Sequence, residues 1–324
     1  MMEHDLIAVR VAARERAASD VISLRLVSDD ADVPLPSFAA GAHIDLHLRD
    51  GLTRKYSLCN APAERGFYEI AVKLEAASRG GSAHVHDALR VGDVLRVGVP
   101  LNYFSLADDD SPSVLLAAGI GITPLLAMMH DLTRAKRPFA LHYFIRSMDS
   151  AAYVETVQRQ FASVSNLHVG LTPSATTAKI GEIVAEMDVR SHLYFCGPAP
   201  FMDAVNAIAA SRLPAAHVHY EHFSAPVCTD AAEGGEREFI IELARSKRVL
   251  SIPADQSITD VLYEHGIEVE TSCEAGICGA CRTAVLGGTP DHRDAFLSPA
   301  DKARNDCVMP CVSRCRGERL VLDI

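Results

Sequence analysis

Six of the nine cysteines of this chain lie in its last sixth. Three of them, Cys273, Cys278 and Cys281, follow one another with the spacing C-x4-C-x2-C. Cysteines crowded into a short loop, in a sequence without an export signal, indicate metal ligation rather than disulfide bonds. The last part of the chain is therefore expected to fold around a metal centre.

The C-x4-C-x2-C spacing with a distant fourth cysteine is typical of plant-type [2Fe–2S] sites. Two irons need four thiolates, and glycines at 276 and 279 let the backbone curl closely around the inorganic sulfides. A zinc site would be expected to have paired cysteine knuckles instead. The spacing alone leaves Cys307, Cys311 and Cys315 open as the fourth ligand.

Composition and charge exclude several classes of function. The residues are 48% hydrophobic and 23% charged, as in an ordinary globular protein. The formal net charge of -11, without a basic patch, argues against nucleic acid as a partner. The N-terminus lacks a secretory pattern, and the longest apolar stretch, residues 114–129, is too short for a bilayer span. We expect a cytoplasmic protein that does not contact a membrane.

The hydrophobic pattern divides the chain into three domains. Residues 1–103 have short alternating runs, such as Val21–Val27, between turn signals, which predicts an antiparallel barrel or sandwich. Residues 104–226 alternate apolar strands with amphipathic helices, which predicts a parallel sheet covered by helices. Residues 227–236 are rich in Ala, Gly and acidic residues and form the predicted linker. Residues 237–324 return to strands before the cysteine loop.

Within the second domain the pattern predicts three strands, each followed by a helix. The predicted strands cover residues 114–118, 139–145 and 192–196, and the helices cover about 124–135, 151–162 and 200–210. Ligands of such sheets bind at the carboxyl ends of the strands.

A glycine-rich loop, Gly119-Ile-Gly-Ile-Thr-Pro124, follows the first of these strands. Its glycines permit a close approach to a pyrophosphate, the helix N-terminus supplies N–H donors, and Pro124 suits the first helical turn. Such a turn is common, and a purely structural turn is the default interpretation of this loop taken alone. A second segment, Cys196-Gly197-Pro198, ends a later strand of the same sheet and favours a nucleotide crevice there.

A third segment lies in the predicted barrel. Arg54 and the loop Gly80-Gly81-Ser82 can jointly hold a phosphate, and Tyr56 can pack on an aromatic ring system. The alternative is an ordinary exposed strand and a flexible turn.

Taken together, these segments resemble the phthalate dioxygenase reductase family, within the ferredoxin–NADP reductase superfamily, over essentially the whole chain. The matching motifs are R-x-Y-S at 54–57, the phosphate loop at 80–82, G-x-G-x-T-P at 119–124 and C-G-P at 196–198. The resemblance implies a multidomain protein with an antiparallel β-barrel flavin domain and an α/β parallel-sheet nucleotide-binding domain. A C-terminal α+β plant-type ferredoxin domain of the β-grasp type completes it.

The resemblance also implies the cofactors and their residues. NADH, FMN and a [2Fe–2S] cluster are expected, with FMN favoured over FAD because no segment suggests an adenosine pocket. It implies Ser57 and Cys196 as the catalytic residues, Phe223 near the flavin, and Cys311 as the fourth cluster ligand. The expected cofactor-binding residues are Arg54, Tyr56, Ser57, Ala71, Val72, Lys73, Gly80, Gly81, Ser82, Gly119, Gly121, Ile122, Thr123, Pro124, Cys196, Gly197, Pro198 and Phe223.

The implied function is that of a monomeric reductase component, which passes electrons from NADH through FMN and the cluster to a Rieske-type oxygenase. The oxygenase would be an aromatic-acid dioxygenase or O-demethylase. Arg314, Arg316 and Arg319 suggest a docking surface for an acidic partner, and Arg146-Ser147 can in principle meet the 2′-phosphate of NADPH. The alternative is a non-enzymatic iron–sulfur carrier or sensor, against which the intact flavin and nucleotide segments speak.

Overall fold

The computed structural model describes residues 6–48, 52–75, 80–223, 237–271, 276, 279–294, 296–297 and 299–324. The chain divides into two compact units, Met1–Glu221 and His222–Ile324. The predicted linker 227–236 lies outside the described residues. The domain boundaries at 103/104 and 226/227 stay predictions.

Six antiparallel strands and one helix form the first part of the first unit. They are β1 (Leu6–Ala18), β2 (Val21–Ser28), β3 (His43–His47), β4 (Thr53–Ser57), β5 (Tyr68–Lys73), α1 (Gly81–Asp87) and β6 (Val94–Gly98). The strand order is β4-β3-β6-β1-β2-β5, and an antiparallel bridge between Leu58 and Ile70 links the two edges. Alternate residues such as Leu24 and Leu26 are fully buried, as the period of a strand requires. The predicted antiparallel barrel is confirmed.

A five-stranded parallel sheet with helices forms the rest of this unit. Its elements are β7 (Ser113–Ala118), α2 (Ile122–Ala135), β8 (Phe139–Ile145), α3 (Val154–Gln160), β9 (Ser165–Val169), α4 (Pro173–Glu186), β10 (His192–Cys196), α5 (Ala199–Ala209) and β11 (Val218–Glu221). The order is β11-β10-β7-β8-β9, and every pairing is parallel. The apolar face of α2, including Leu125, Met128 and Leu132, is completely buried. The predicted α/β sheet is confirmed.

Three elements of this sheet, β9, α4 and β11, lie outside the strands and helices that the hydrophobic pattern predicts. β9 is an edge strand whose residues are half-buried or exposed, so it lacks the apolar run of the central strands. The start of α4 does carry a local signal, since the Thr172 hydroxyl accepts a hydrogen bond from Ala175 N–H and Pro173 opens the helix.

The helix predicted over 151–162 is shorter than expected. It covers only Val154–Gln160, because Tyr153 adopts a left-handed conformation with a φ of 58° and interrupts the preceding backbone.

The second unit is built on a mixed sheet. Its elements are β12 (Phe239–Leu243), β13 (Arg248–Ile252), α6 (Ile258–Glu264), β14 (Thr283–Gly287), β15 (Pro290–Asp291), α7 (Pro299–Arg304), β16 (Cys307–Val308), β17 (Arg314–Cys315) and β18 (Arg319–Leu322). The order is β13-β12-β18-β14-β16, with β12 and β18 parallel. β15 and β17 form a separate antiparallel ribbon. Ile258, Val261 and Leu262 of α6 are buried in the core of this sheet. The predicted strands over 239–243 and 248–252 are confirmed.

No helix among the described residues combines the length and the apolar character that crossing a membrane requires.

Candidate functional site

The ends of β4 and β11 bring two polar side chains together. Ser57 is the last residue of β4 and is buried, and Glu221 is the last residue of β11. The Ser57 hydroxyl donates a 3.0 Å hydrogen bond to Glu221 Oε2. Glu221 is also the parallel-strand neighbour of Cys196. Two residues expected to be catalytic, Ser57 and Cys196, therefore flank one carboxyl group at the carboxyl edge of the sheet.

The electrostatic environment of this carboxyl group is unusual. Burial raises the pKa of Glu221 to about 7, although the hydrogen bond from Ser57 and the charge of Lys55 act in the opposite direction. Lys55 is itself held by Asp45, with 2.7 Å between Nζ and Oδ1. His43 Nδ1 lies 3.9 Å from Glu221 Oε1. A carboxyl group with this pKa can take up or release a proton near neutral pH.

Sequence reasoning missed Glu221. The segment that contains it, Tyr220-Glu-His-Phe223, points to a cofactor site only through its aromatic residue. The available signal was the position of Glu221 at the end of a strand of the parallel sheet, where ligands bind. Phe223 follows two residues later and has 44% of its surface exposed. It belongs to the second unit, so its expected place near the flavin stays a prediction.

The glycine loop and the C-G-P segment lie against each other at the ends of β7 and β10. The Cys196 carbonyl oxygen occupies the position that a Cβ of residue 121 would take, so only glycine fits there. A Cβ at Gly197 would lie 2.8 Å from Ala118 Cβ and from Phe201 Cδ1. Pro198 precedes α5 directly. The structure thus brings together the two segments that the sequence assigned to one nucleotide crevice.

The described contacts also hold the glycine loop in place. The Tyr143 hydroxyl donates to the carbonyl of Gly119 at 3.0 Å, and the Thr123 hydroxyl donates to the carbonyl of Ile120 at 3.0 Å. Ile122, Thr123 and Pro124 form the first turn of α2 and are buried. The apolar side chains of Ile122 and Pro124 therefore pack in the core and support the loop. Contacts between this loop and a ligand would be made by its backbone.

The Cys196 thiol is fully buried. Burial raises its pKa well above the ordinary value, and the nearby charge of Glu221 acts in the same direction. A neutral buried thiol is a poor nucleophile. The geometry therefore does not support Cys196 as a nucleophile.

Arg54 and the Gly-Gly-Ser segment meet as the sequence suggested. A Cβ at Gly81 would lie 2.8 Å from Arg54 Cγ and from Arg54 Nε, so the arginine side chain passes directly over the start of α1. Gly80 precedes α1, and the Ser82 hydroxyl accepts a 3.1 Å hydrogen bond from Glu75 N–H. A guanidinium beside the backbone of a short Gly-Gly turn has the donors that a phosphate requires.

The remaining barrel residues surround this pair. Tyr56 is partly buried, which raises its pKa to about 12, so the phenol stays neutral. Ala71 and Val72 on β5 are buried, whereas Lys73 is half-buried and ion-pairs with Glu75 at 3.4 Å. Because the side chains of Ala71 and Val72 face the protein core, any contact they make with a cofactor would be through the backbone.

Two of the expected cluster ligands are paired in the second unit. The sulfur atoms of Cys281 and Cys311 are 3.3 Å apart, too far for a disulfide bond, and both residues are buried. They pack in a small core with Leu297 and Met309. Cys273 and Cys278 lie outside the described residues. A buried pair of thiols next to a glycine-containing loop suits the ligand set of an iron–sulfur centre.

The other two candidates for the fourth ligand differ in their surroundings. Cys315 is buried in the main core of the sheet, with Leu320 and Leu322. Cys307 is buried in the same small core as Cys281 and Cys311. Burial raises the pKa of both thiols, as expected for small apolar core residues.

The suggested arginine docking surface is wrong for Arg314. Its side chain is buried and donates to the carbonyl oxygens of Gln256 at 2.8 Å and Pro253 at 2.7 Å. Arg319 forms an ion pair with Glu242. Arg314 therefore has a structural role inside the domain, because its donors are used by the backbone.

Comparison with known proteins agrees with this arrangement. A model described as oxidoreductase FAD-binding domain matches residues 8–105, and one described as 2Fe-2S iron-sulfur cluster binding domain matches residues 241–316. A vanillate O-demethylase oxidoreductase from Pseudomonas sp. (strain HR199 / DSM 7063) is 42% identical over 321 residues, which cover 98% of this chain and 100% of the relative.

Solved structures extend the similarity to the whole fold. The solved structure of phthalate dioxygenase reductase superimposes with a TM-score of 0.74 and 35% identity, covering 99% of both chains. This chain belongs to the phthalate dioxygenase reductase family. An intact type IV self-sufficient cytochrome P450 monooxygenase also matches, with a TM-score of 0.82 and 32% identity, over 98% of this chain but only 41% of that chain.

Membership of the phthalate dioxygenase reductase family makes the chain an iron–sulfur flavoprotein oxidoreductase, as the sequence predicted. The predicted fold class is confirmed, with an antiparallel flavin domain, a parallel nucleotide domain and a C-terminal [2Fe–2S] domain. The described residues fit a flavin phosphate, since Arg54 lies over the Gly-Gly turn. They also fit a [2Fe–2S] cluster, since two buried thiols are paired in the small core.

Proposed function

We propose that this protein is the NADH-dependent reductase component of a Rieske-type oxygenase system, an aromatic-acid dioxygenase or O-demethylase. Electrons pass from NADH to FMN, then to the [2Fe–2S] cluster, and then to the oxygenase. The contact between Ser57 and Glu221 carries the proposal, because it joins the flavin barrel to the carboxyl edge of the nucleotide sheet. That edge is where a nicotinamide has to meet the flavin ring for hydride transfer.

Each proposed domain supplies one binding site. Residues 1–103 bind FMN, residues 104–226 bind NADH, and residues 237–324 hold the cluster after a linker at 227–236. In the second domain, Gly119 to Pro124 and Cys196 to Pro198 line the crevice for the pyrophosphate and the nicotinamide. Their close packing supports this assignment, because both segments lie at the carboxyl ends of adjacent strands.

In the flavin domain, Arg54 and residues 80–82 are proposed to hold the FMN phosphate. Tyr56, Phe223 and the backbone of 71–73 are proposed to contact the ring system. The Arg54 side chain over Gly81 supports a phosphate site complete within the barrel, which needs no adenosine pocket. Extraction and mass measurement of the flavin distinguishes FMN from FAD.

When bound, FMN would supply the chemistry that links a two-electron hydride donor to a one-electron iron–sulfur cluster, with Arg54 and residues 80–82 holding its phosphate. The protein's own contribution is to orient the reacting groups and to hold a proton near them. The Ser57 hydroxyl is held by Glu221, so its direction is set before the nucleotide binds. Glu221 can hold a proton at neutral pH, and the fully buried Cys196 thiol beside it stays uncharged.

Cys273, Cys278, Cys281 and Cys311 are the proposed cluster ligands. The separation of 3.3 Å between the sulfur atoms of Cys281 and Cys311 supports Cys311 over Cys315, which packs in the main core of the sheet. The buried setting of the pair would shield a cluster from water.

An oxygenase as the acceptor is supported by relatives that are named as an O-demethylase oxidoreductase and a dioxygenase reductase. We propose that this oxygenase is of the Rieske type. The similar cytochrome P450 monooxygenase is a longer chain, of which the match covers 41%. We further propose a monomeric, cytoplasmic protein, as suits a shuttle between NADH and a separate oxygenase. Gel filtration tests the first property and fractionation of cells tests the second.

Anaerobic titration with NADH is the decisive test. A reductase should lose both the yellow flavin absorption and the red-brown cluster absorption, with two electrons per NADH distributed between them. An iron–sulfur carrier or sensor without a working nucleotide site would keep both bands, which would refute the proposal. The same titration with NADPH tests the preference for NADH.

A further inference from the structure

The segment Pro290-Asp-His-Arg-Asp294 runs antiparallel beside the chain that follows Cys311. Pro290 pairs with Cys315, and Asp291 pairs with Arg314, as β15 and β17. One step further along, the backbone N–H of Arg293 donates to the Ser313 hydroxyl at 3.2 Å. The end of this segment therefore lies next to the proposed fourth cluster ligand.

Asp294 ends the segment with a carboxylate that is completely buried, since its side chain has 0% exposure. Its Oδ2 accepts a 2.8 Å hydrogen bond from Leu297 N–H, and the Ser313 hydroxyl lies 3.4 Å from its Oδ1. Lys302 Nζ lies 3.9 Å from Oδ2 and also donates to the Asp294 carbonyl. His292 Nδ1 also lies 3.7 Å from Oδ1. A buried carboxylate is costly unless such partners compensate it.

The same residue supports the loop that carries the first three cysteines. Gly276 lies between Cys273 and Cys278 and has a φ of 69°. A Cβ at this glycine would lie 3.0 Å from Asp294 Cα and would collide with the Val312 side chain. Gly276 thus packs directly on Asp294 and on Val312, the residue that follows Cys311.

We propose that Asp294 is a positioning residue of the iron–sulfur centre, which connects the two ligand-bearing segments and lowers the reduction potential of the cluster. Through Ser313 it fixes the Cys311 segment, and through its backbone it supports Gly276. Reduction adds one negative charge to the cluster, and a buried carboxylate nearby disfavours that charge. Lys302 opposes this effect, because its cation lies on the same carboxylate. The inference rests on the proposed cluster ligands.

The variant Asp294→Asn tests the charge without removing the side chain. Its amide oxygen can still accept from Leu297 N–H, and its amide N–H can donate to the Ser313 hydroxyl. We expect the cluster to assemble and its reduction to become about tenfold more favourable, which is a rise of roughly 59 mV for a one-electron couple. The measurement is a redox titration followed by the EPR signal of the reduced cluster.

Asp323→Asn is the matched control, because it removes the same charge from a carboxylate that is 36% exposed and paired with Arg245. Its cluster should have the wild-type potential. Equal potentials in Asp294→Asn and wild type would overturn the proposal. If Asp294→Asn does not assemble a cluster, Lys302→Met decides, since it removes only the opposing cation from a partly exposed site. A potential below that of wild type supports the proposal, and an unchanged potential overturns it.

Iron content and the EPR signal of the wild-type protein separate this inference from the proposed function. Without iron in the wild type, the ligand assignment itself fails. If the wild-type protein contains the cluster, the reduction potentials of the variants test the role of Asp294 alone.

Discussion

Ser57 and Glu221 are 164 residues apart in the chain, and their side chains form a 3.0 Å hydrogen bond. Each residue ends a strand, one in the antiparallel barrel and the other in the parallel sheet. A side chain at the end of a strand can extend beyond the sheet and contact a ligand. This hydrogen bond therefore marks the candidate ligand site where the ends of the two strands meet.

Replacing Ser57 by Ala should slow hydride transfer from NADH to the flavin by roughly tenfold to a hundredfold, because a misplaced reacting group loses orientation. Stopped-flow absorbance under anaerobic conditions measures this step directly. Ser113→Ala is the matched control, since Ser113 is also buried but begins β7, at the amino ends of the parallel strands. Wild-type rates in Ser57→Ala would contradict a role for this hydroxyl.

Glu221→Gln should change how stability depends on pH. The pKa of Glu221 is raised from 4.5 to about 7 in the folded protein, so the unfolded chain binds fewer protons at this group. The free energy of unfolding of the wild type, relative to that of the variant, is therefore highest below pH 4.5. It falls as the pH rises toward 7. The loss is at most about 3 kcal/mol and levels off above the folded pKa. Flavin release during thermal melting, followed by fluorescence between pH 4.5 and 8.5, measures it. A difference that does not vary with pH would show that Glu221 is ionised throughout.

Gly121→Ala should impair the nucleotide crevice. The Cys196 carbonyl occupies the space that a methyl group would need, so the glycine loop and the end of β10 must separate. We expect a loss of about 1–3 kcal/mol in stability and a higher KM for NADH. Gly181→Ala is the control within a helix, because a Cβ there meets nothing within 4 Å, and it should raise stability by up to about 1 kcal/mol. An unchanged KM in Gly121→Ala would argue against nucleotide binding at this loop.

Cys311→Ser should abolish the [2Fe–2S] signal and lower the iron content, because a cluster needs four thiolate ligands. Cys315→Ser should retain the iron and lose stability, since its side chain lies in the apolar core of the sheet. Cys307→Ser should also retain the iron. Iron analysis and EPR of the three variants decide between them, and a normal cluster in Cys311→Ser would reassign the fourth ligand.

Many elements of the fold were predictable because their signals are local. The strands Phe239–Leu243 and Arg248–Ile252 and the start of α5 follow from residues within a few positions. β9 was not predictable, since an edge strand needs no continuous apolar run. The shortening of α3 was not predictable either, because it depends on the left-handed backbone of Tyr153.

For the candidate site, the sequence by itself determined the cysteine spacing, the glycine loop and the arginine of the flavin motif. Each is a pattern of neighbouring residues whose chemistry follows from its spacing. Only the tertiary structure decided that Glu221 meets Ser57, that Arg314 is buried rather than exposed, and that Asp294 packs against Gly276. These relationships depend on strand register and burial, which arise when distant segments pack, and no short pattern of residues encodes them.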